Sequence, residues 1–378
     1  MRTNIKTTVK TARKDLPGVD FYLAVCIGAM SVIGMLMLYS ASTVISFRNF
    51  GDTTHYFFHQ LLYGFIPGML LLYVLSRIDY HRWEKLIPYL AVLSLICLTL
   101  VKLPGLGFSS GGATRWIHLG FVTFQPAELA KFSIIIYTAG WVTRKQMHLK
   151  NFYLGLFPYL VVMGLFALLI LWQPDVGTML VLVMSGLSML FIGGIRLRYF
   201  AGMGVLGGLA LAIIIRLEPY RMSRLLTFLD PSRDPKGAGY QINQAMLAIG
   251  AGGLFGYGYG MSRQKHNYLP EAIGDSIFAV IAEELGFVKV SLIVLLYLTF
   301  MLRGLYVSLK APDMFGRVLG TGIVIAIIVQ AFINIGAIIG LLPLTGVTLP
   351  LISYGSSSLI MTLASLGILL NISRFAKK

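Results

Sequence analysis

Three spacings in this chain could do chemistry. In NYLPEAIGDSIFAVIAEELG, residues 267–286, Glu271, Asp275, Glu283 and Glu284 crowd beside strongly apolar sequence. In ATRWIHLGFVTFQPAELAKFSIII, 113–136, Glu128 and Lys131 stand three apart just after Pro126, with Arg115 and Trp116 upstream. In LEPYRMSRLLTFLDPSRDPKGAGYQINQ, 217–244, Arg221 and Arg224 are three apart and share a face if the segment is helical. A carboxylate can act as general base, and Lys and Arg can stabilise an anionic leaving group. Other chemistries lack their parts. The histidines are scattered, and no HExxH or CxxC offers a zinc site. No GxSxG elbow appears, and no GK[ST] completes the glycine-rich AIGAGGLFGYGYG as a phosphate loop.

Each spacing also has a plainer reading. Asp275 stands where an N-cap would precede SIFAVIAEEL. Glu128 and Lys131 could be an intrahelical ion pair, Trp116 an interfacial anchor, and the glycines a device for turns and close packing. The functional reading gains from depth, because ionisable groups at a membrane boundary are costly unless paired or in a wet cavity.

The elements that must position these residues are membrane helices. The chain has 378 residues, 57% hydrophobic and 12% charged; a soluble protein carries about twice that charged fraction. Continuous apolar runs recur at spanning length, which predicts an all-α, polytopic membrane protein of about ten transmembrane helices. The expected spans are 21–45, 56–77, 86–104, 127–143, 153–172, 175–194, 199–216, 276–302, 316–338 and 356–373. A single domain over 21–373 lies between a tail at 1–20 and a tail at 374–378, and no cleavable signal peptide is apparent. The 276–302 run is long for one span and Gly286 interrupts it, so 276–285 reads as a short or re-entrant helix.

Basic residues cluster on one side: Arg2, Lys6, Lys10, Arg13 and Lys14, then Arg77, Arg82, Lys85, Arg144, Lys145, Lys150, Arg196, Arg198, Arg303, Lys310, Arg317, Arg374, Lys377 and Lys378. Only Arg48, Lys102 and Arg115 occupy the short loops opposite. The positive-inside rule makes both termini cytoplasmic. The net charge of +16 then reads as topological signal facing anionic lipid, not as a nucleic-acid footprint. Residues 217–275 become a large extracytoplasmic loop, within which QINQAMLAIG is expected to form one amphipathic turn or two. Most carboxylates face that same side. WQPDVGT, 172–178, reads as a tight reversal with Asp175 near the surface, and GLLPLTGVTLPLISYGSSSLI, 340–360, as an apolar turn at the mouth of the bundle. Cys26 and Cys97 fall inside spans and read as packing residues.

In order along the chain, RWIHLG with FQPAELAK, WQPDVGT, YRMSRLLTFLDPSRDPKGAGYQINQ, AIGAGGLFGYGYGMSRQKHNYLPE, DSIFAVIAEELG and GLLPLTGVTLPLISYGSSS resemble the signature blocks of the SEDS family, which comprises FtsW, RodA and sporulation relatives. GYGYGMSRQKHNYLPE and GLLPLTGVTLP lie closer to the FtsW branch. The resemblance implies ten helices, a large fourth extracytoplasmic loop and a peptidoglycan glycosyltransferase of the bacterial plasma membrane. Its donor would be a lipid-linked glycan, its acceptor lipid II, and its partner a class B penicillin-binding protein. Asp275 matches the family's essential loop aspartate, Glu128 and Lys131 its polar pair, and Arg221 and Arg224 its YRMSR arginines. The same blocks offer Arg115, Trp116, Lys265, Ser353 and Tyr354 as substrate-binding residues. Two departures stand out: Ile273 and Gly274 replace the family's His and Thr before Asp275, and Ser356 fills a glycine position.

The expected reaction is a single inverting displacement, with Asp275 as base and Lys131, Arg221 and Arg224 stabilising pyrophosphate. Asp275 and Glu128 permit, without requiring, a divalent cation (Mg or Mn) as Lewis acid. Two rivals remain: a lipid II flippase, for which an intramembrane Glu128–Lys131 pair would also serve, and a non-catalytic scaffold for the transpeptidase.

Overall fold

The computed structural model describes residues 18–110, 113–118, 120, 123–149, 151–234 and 237–376. Arg2, Lys6, Lys10, Arg13, Lys14, Lys150, Lys377 and Lys378 of the charge argument lie outside them.

Twelve helices carry the description. The first seven are α1 Phe21–Phe50, α2 His55–Arg77, α3 Arg82–Leu100, α4 Pro126–Lys145, α5 Phe152–Trp172, α6 Val176–Ile192 and α7 Leu197–Leu217. Then come α8 Pro219–Leu229, α9 Ala238–Gly252, α10 Ile277–Leu309, α11 Met314–Ile338 and α12 Ser356–Phe375. Eight of these, α1, α2, α3, α5, α7, α10, α11 and α12, are long and apolar enough to cross a membrane. Two more complete the expected ten. α4 is long enough but carries Glu128, Lys131, Arg144 and Lys145, and α6 is apolar but shorter, at 17 residues. The protein is therefore a multi-pass membrane protein.

Local chemistry sets the helix ends. Asp20 accepts from the Leu23 N–H and starts α1, and Gly51 closes it in the left-handed conformation. Pro126 opens α4, where a missing N–H costs nothing. Asp313 accepts from the Gly316 N–H and starts α11. The core centres on α11 and α12, whose apolar stretches are 72% and 83% buried within the protein. α11 packs against α4, α6 and α10, and α12 against α2. α7 is the opposite case, with only 6% of its apolar stretch covered.

The all-α architecture holds, with one small addition: β1 Gly107–Ser110, β2 Ala113–His118 and β3 Thr123–Phe124 form an antiparallel sheet between α3 and α4. Thr114, Trp116 and Ile117 suit strands, and a connection this long must pair its backbone. Two local expectations need correction. The 217–275 connection contains α8 and α9, and α9 is a 15-residue helix instead of a turn or two. Its buried face is Gly239, Ile242, Ala245, Ala248 and Gly252, side chains too small to mark a strong apolar stripe. Asp175 is 3% exposed, not at the surface. It caps α6 by accepting from the Thr178 N–H at 3.0 Å and hydroxyl at 2.9 Å.

Gly286 does break α10, with φ 75° and ψ 173°. The segment after α9 seals the break. Phe287 and Val288 N–H donate to the Gly253 and Leu254 carbonyls, while Tyr257 and Gly258 N–H donate to those of Glu283 and Glu284. A Cβ on Gly286 would stand 2.2 Å from the Gly256 nitrogen, so the glycines are there for close approach.

Candidate active site

The connections at one end of the bundle are sewn together by side chains. Asp275 lies in the turn before α10, immediately ahead of Ser276. It is not a helix cap: the N-cap position before Ile277 is Ser276, and no side chain caps the helix. The Asp275 carboxylate instead accepts from Gln241 Nε2 of α9 at 3.1 Å and from the Ser276 hydroxyl at 3.3 Å. Burial first, and the Glu271 charge second, raise its pKa to about 6 against the opposite pull of Arg224, Ser276 and Gln241. Glu271 sits in the left-handed region at φ 49°. Its carbonyl accepts from the Gly274 and Ser276 N–H groups, which closes the turn that presents Asp275.

Loop 339–355 roofs and braces this turn. Ser353 donates to the Gly274 carbonyl at 2.7 Å, and the Tyr354 N–H to that of Ile273 at 2.9 Å. The Tyr354 hydroxyl reaches His59 Nδ1 at 3.0 Å. Arg224 Nη1 donates to the Leu344 carbonyl at 2.9 Å and its guanidinium lies over Tyr220. Arg221, one turn earlier on α8, donates to the Ile214 and Leu171 carbonyls. Ser353 and Tyr354 are thus spent holding the Asp275 turn, whereas the arginines stand over the end of the bundle.

The second centre lies inside the bundle. Lys131 Nζ is 2.8 Å from Glu128 Oε2 and donates to Gln330 Oε1 of α11 at 2.6 Å. Both charged residues are buried. With Gln330, Thr362 and Ser365 they line a cavity of about 30 Å³, room for one or two waters. Gln330 Nε2 donates on to the Thr348 carbonyl at 3.0 Å. One helical turn later Asn334 donates to the carbonyls of Asp275, at 2.8 Å, and Val347, at 2.7 Å. Two amides on one face of α11 therefore join the Glu128–Lys131 centre to the Asp275 turn.

Arg115 and Trp116 sit on β2. Arg115 donates to the Gln173 and Pro174 carbonyls, steadying the α5–α6 reversal, and stands apart from Asp275. Lys265 is elsewhere again. Its ammonium is 2.9 Å from Glu284 and also donates to Ser40, both buried, and to the carbonyl of the exposed Gly260. Glu284 further accepts from Ser40 and the Gly260 and Ser262 N–H groups. Glu283 accepts from the Ser262 hydroxyl and the Arg263 and Gln264 N–H groups. These two carboxylates clasp the loop, as structural partners.

Gln241, Gln330 and Asn334 escaped sequence reasoning. An amide in an apolar run carries no charge to flag it, although the i, i+4 pair QAFIN, 330–334, on one helix face was a signal available. Asp275 and Glu128 do not meet in one site: Glu128 faces the Lys131 ammonium, and the two carboxylates line separate cavities.

Known proteins match this chain over nearly its whole length. The family model for the cell cycle proteins FtsW, RodA and SpoVE matches residues 21–378. Stage V sporulation protein E of Bacillus subtilis is 39% identical over 97% of this chain and 100% of its own length. A probable peptidoglycan glycosyltransferase FtsW of Geobacter sp. (strain M18) is 40% identical, covering 95% and 98%. Among solved structures, a chain of a peptidoglycan synthase complex that coordinates polymerization with crosslinking superposes with TM-score 0.78 at 30% identity, covering 94% and 98%. The Thermus thermophilus rod shape determining protein RodA gives 0.68 at 28% identity, covering 95% and 98%.

Proposed function

This chain belongs to the FtsW/RodA/SpoVE family, and on that footing we propose that it polymerises peptidoglycan, transferring a lipid-linked glycan onto lipid II. It works with a class B penicillin-binding protein that cross-links the strands. The observation that carries the reading is the setting of Asp275: a carboxylate held near pKa 6 by burial and Glu271, with Arg224 close enough to oppose that rise.

The chemistry follows from those groups. The acceptor's 4-hydroxyl attacks the donor's anomeric carbon as Asp275 takes its proton. The bond to pyrophosphate breaks, and that leaving group departs with the electron pair. An α-linked donor then gives a β-1,4 product in one inversion, with no covalent intermediate. Arg224 and Arg221 on α8 offset the departing charge. Lys131 is held between Glu128 and Gln330 inside the bundle, so a leaving group would have to compete with Glu128 for its charge. No step is assigned to a divalent cation.

Arg77, Arg82, Lys85, Arg144, Lys145, Arg196, Arg198, Arg303, Lys310, Arg317 and Arg374 fall at or near the helix ends opposite Asp275. By the positive-inside rule those ends face the cytoplasm, and the Asp275 face lies outside. The buried Glu128–Lys131 cavity is the feature a flippase would also need. Detergent separates the two, because transport has no meaning there. The test is lipid II polymerisation by the purified complex with its partner: wild type yields glycan strands, and Asp275→Asn, equally folded, yields none. Strands made at wild-type rate by Asp275→Asn would remove Asp275 from the role of base.

A further inference from the structure

Asn334 is 2% exposed, and both protons of its amide are spent on the Asp275 and Val347 carbonyls. That fixes which way the amide points, because the reverse would set its oxygen against two carbonyl oxygens. Asn334 Oδ1 can therefore only accept, and among the described residues it has no hydrogen-bond partner. Thr345 Oγ1 is likewise buried and without one. Both residues line the small cavity that Asp275 shares with Leu344, Gly346 and Val347. As it stands the cavity is too narrow for a water molecule, so a trapped water does not answer for the two groups.

We infer that Asn334 Oδ1 and Thr345 Oγ1 form the acceptor-sugar subsite beside Asp275, binding a neutral hydrogen-bond donor: a sugar hydroxyl or an acetamido N–H. The inference rests on the polymerase reading and adds to it the residues that orient the acceptor. Charge supports the class of ligand. Pyrophosphate offers only acceptor oxygens at neutral pH, which Asn334 Oδ1 cannot use and the Asp275 carboxylate repels; phosphate belongs with Arg221 and Arg224. A hydroxylated ring satisfies both orphan groups and turns an adjacent hydroxyl towards Asp275. Seating it moves the roof at Leu344–Gly346 outward and leaves the Asn334 bond to the Val347 carbonyl in place. One tie on that roof is the Arg224 bond to the Leu344 carbonyl, so the arginine that meets the donor also releases the acceptor pocket.

The test is a single coupling by the full complex in detergent, using a donor lipid II whose 4-hydroxyl is capped and, as acceptor, a lipid II analogue with a free 4-hydroxyl and an uncleavable anomeric linkage. Thr345→Val keeps the side-chain shape and removes the hydroxyl. It should raise the acceptor KM about five- to tenfold, the worth of one hydrogen bond, with kcat and the capped-donor KM little changed, and Thr345→Ser should restore it. Asn334→Ala also loses the two donated bonds, so it should lower the melting temperature, yet raise the KM of the acceptor and not of the donor. An acceptor KM unmoved in both variants overturns the inference, as does a rise shared equally by donor and acceptor, which marks general loosening. Failure of the wild-type complex to couple at all overturns the polymerase reading itself, in an arm that contains no variant.

Discussion

At the residue scale, Asp275 illustrates how a site is paid for in stability. Its folded pKa is about 6 against an ordinary 3.8, so the folded protein prefers the protonated form. The resulting stabilisation is complete below about pH 3.8 and is lost as pH rises through about 6. At neutral pH the ionised carboxylate costs up to about 3 kcal/mol. Asp275→Asn should therefore abolish polymerisation and raise the melting temperature in detergent at pH 7, with the gain vanishing near pH 4. The pH profile of kcat/KM should fall on the acid side near 6, not near 4. Glu271→Gln removes the second cause of the rise and should move that limb lower. An unmoved limb in Glu271→Gln would show that burial alone sets the value. This carboxylate was legible in the sequence, but its role was half misread. Position before a helix suggested a cap, and only the fold brings Gln241 from the neighbouring helix to take the place of backbone N–H groups.

At the element scale, the break in α10 and the loop that seals it act as one unit. Lys265, Glu284 and Ser40 lock that loop to α1 away from water. Lys265→Met strands a buried carboxylate and should cost about 3–5 kcal/mol, read as a lower melting temperature. Lys265→Met with Glu284→Gln should recover more than half of the loss, since the uncompensated charge has gone. The helices themselves were largely legible: the expected spans fall within a few residues of the observed ones, with α10 running seven residues further than expected, from 302 to Leu309. Span length and apolarity are dictated by the bilayer, and one residue decides little. The small sheet and α9 were not legible. Ala245, Ala248 and Gly252 of α9 bury almost nothing that hydropathy can register, and the Arg115 strand takes its order from contacts with the Gln173 and Pro174 carbonyls far along the chain.

At the scale of the whole molecule, the asymmetry of charge makes orientation testable. Ser232, exposed beside α8, and Met147, 91% exposed after α4, belong to opposite ends of the bundle. Ser232→Cys should react with a membrane-impermeant maleimide on intact cells, and Met147→Cys only after permeabilisation; the reverse pattern would invert the assigned topology. The two centres of the site are joined through α11 and not through a loop. Gln330 and Asn334 differ by one turn, a rise of about 6 Å along the axis. That makes α11 a measuring stick: it sets the gap between the intramembrane ion pair and the outer carboxylate with the stiffness of a helix most of whose apolar stretch is buried. Loops can be lengthened without altering that gap, but a residue inserted between Gln330 and Asn334 would swing one mark on the stick by about 100°. The separation at which the protein presents its two charges is therefore cut into its most buried core, where drift in the surface loops cannot rescale it.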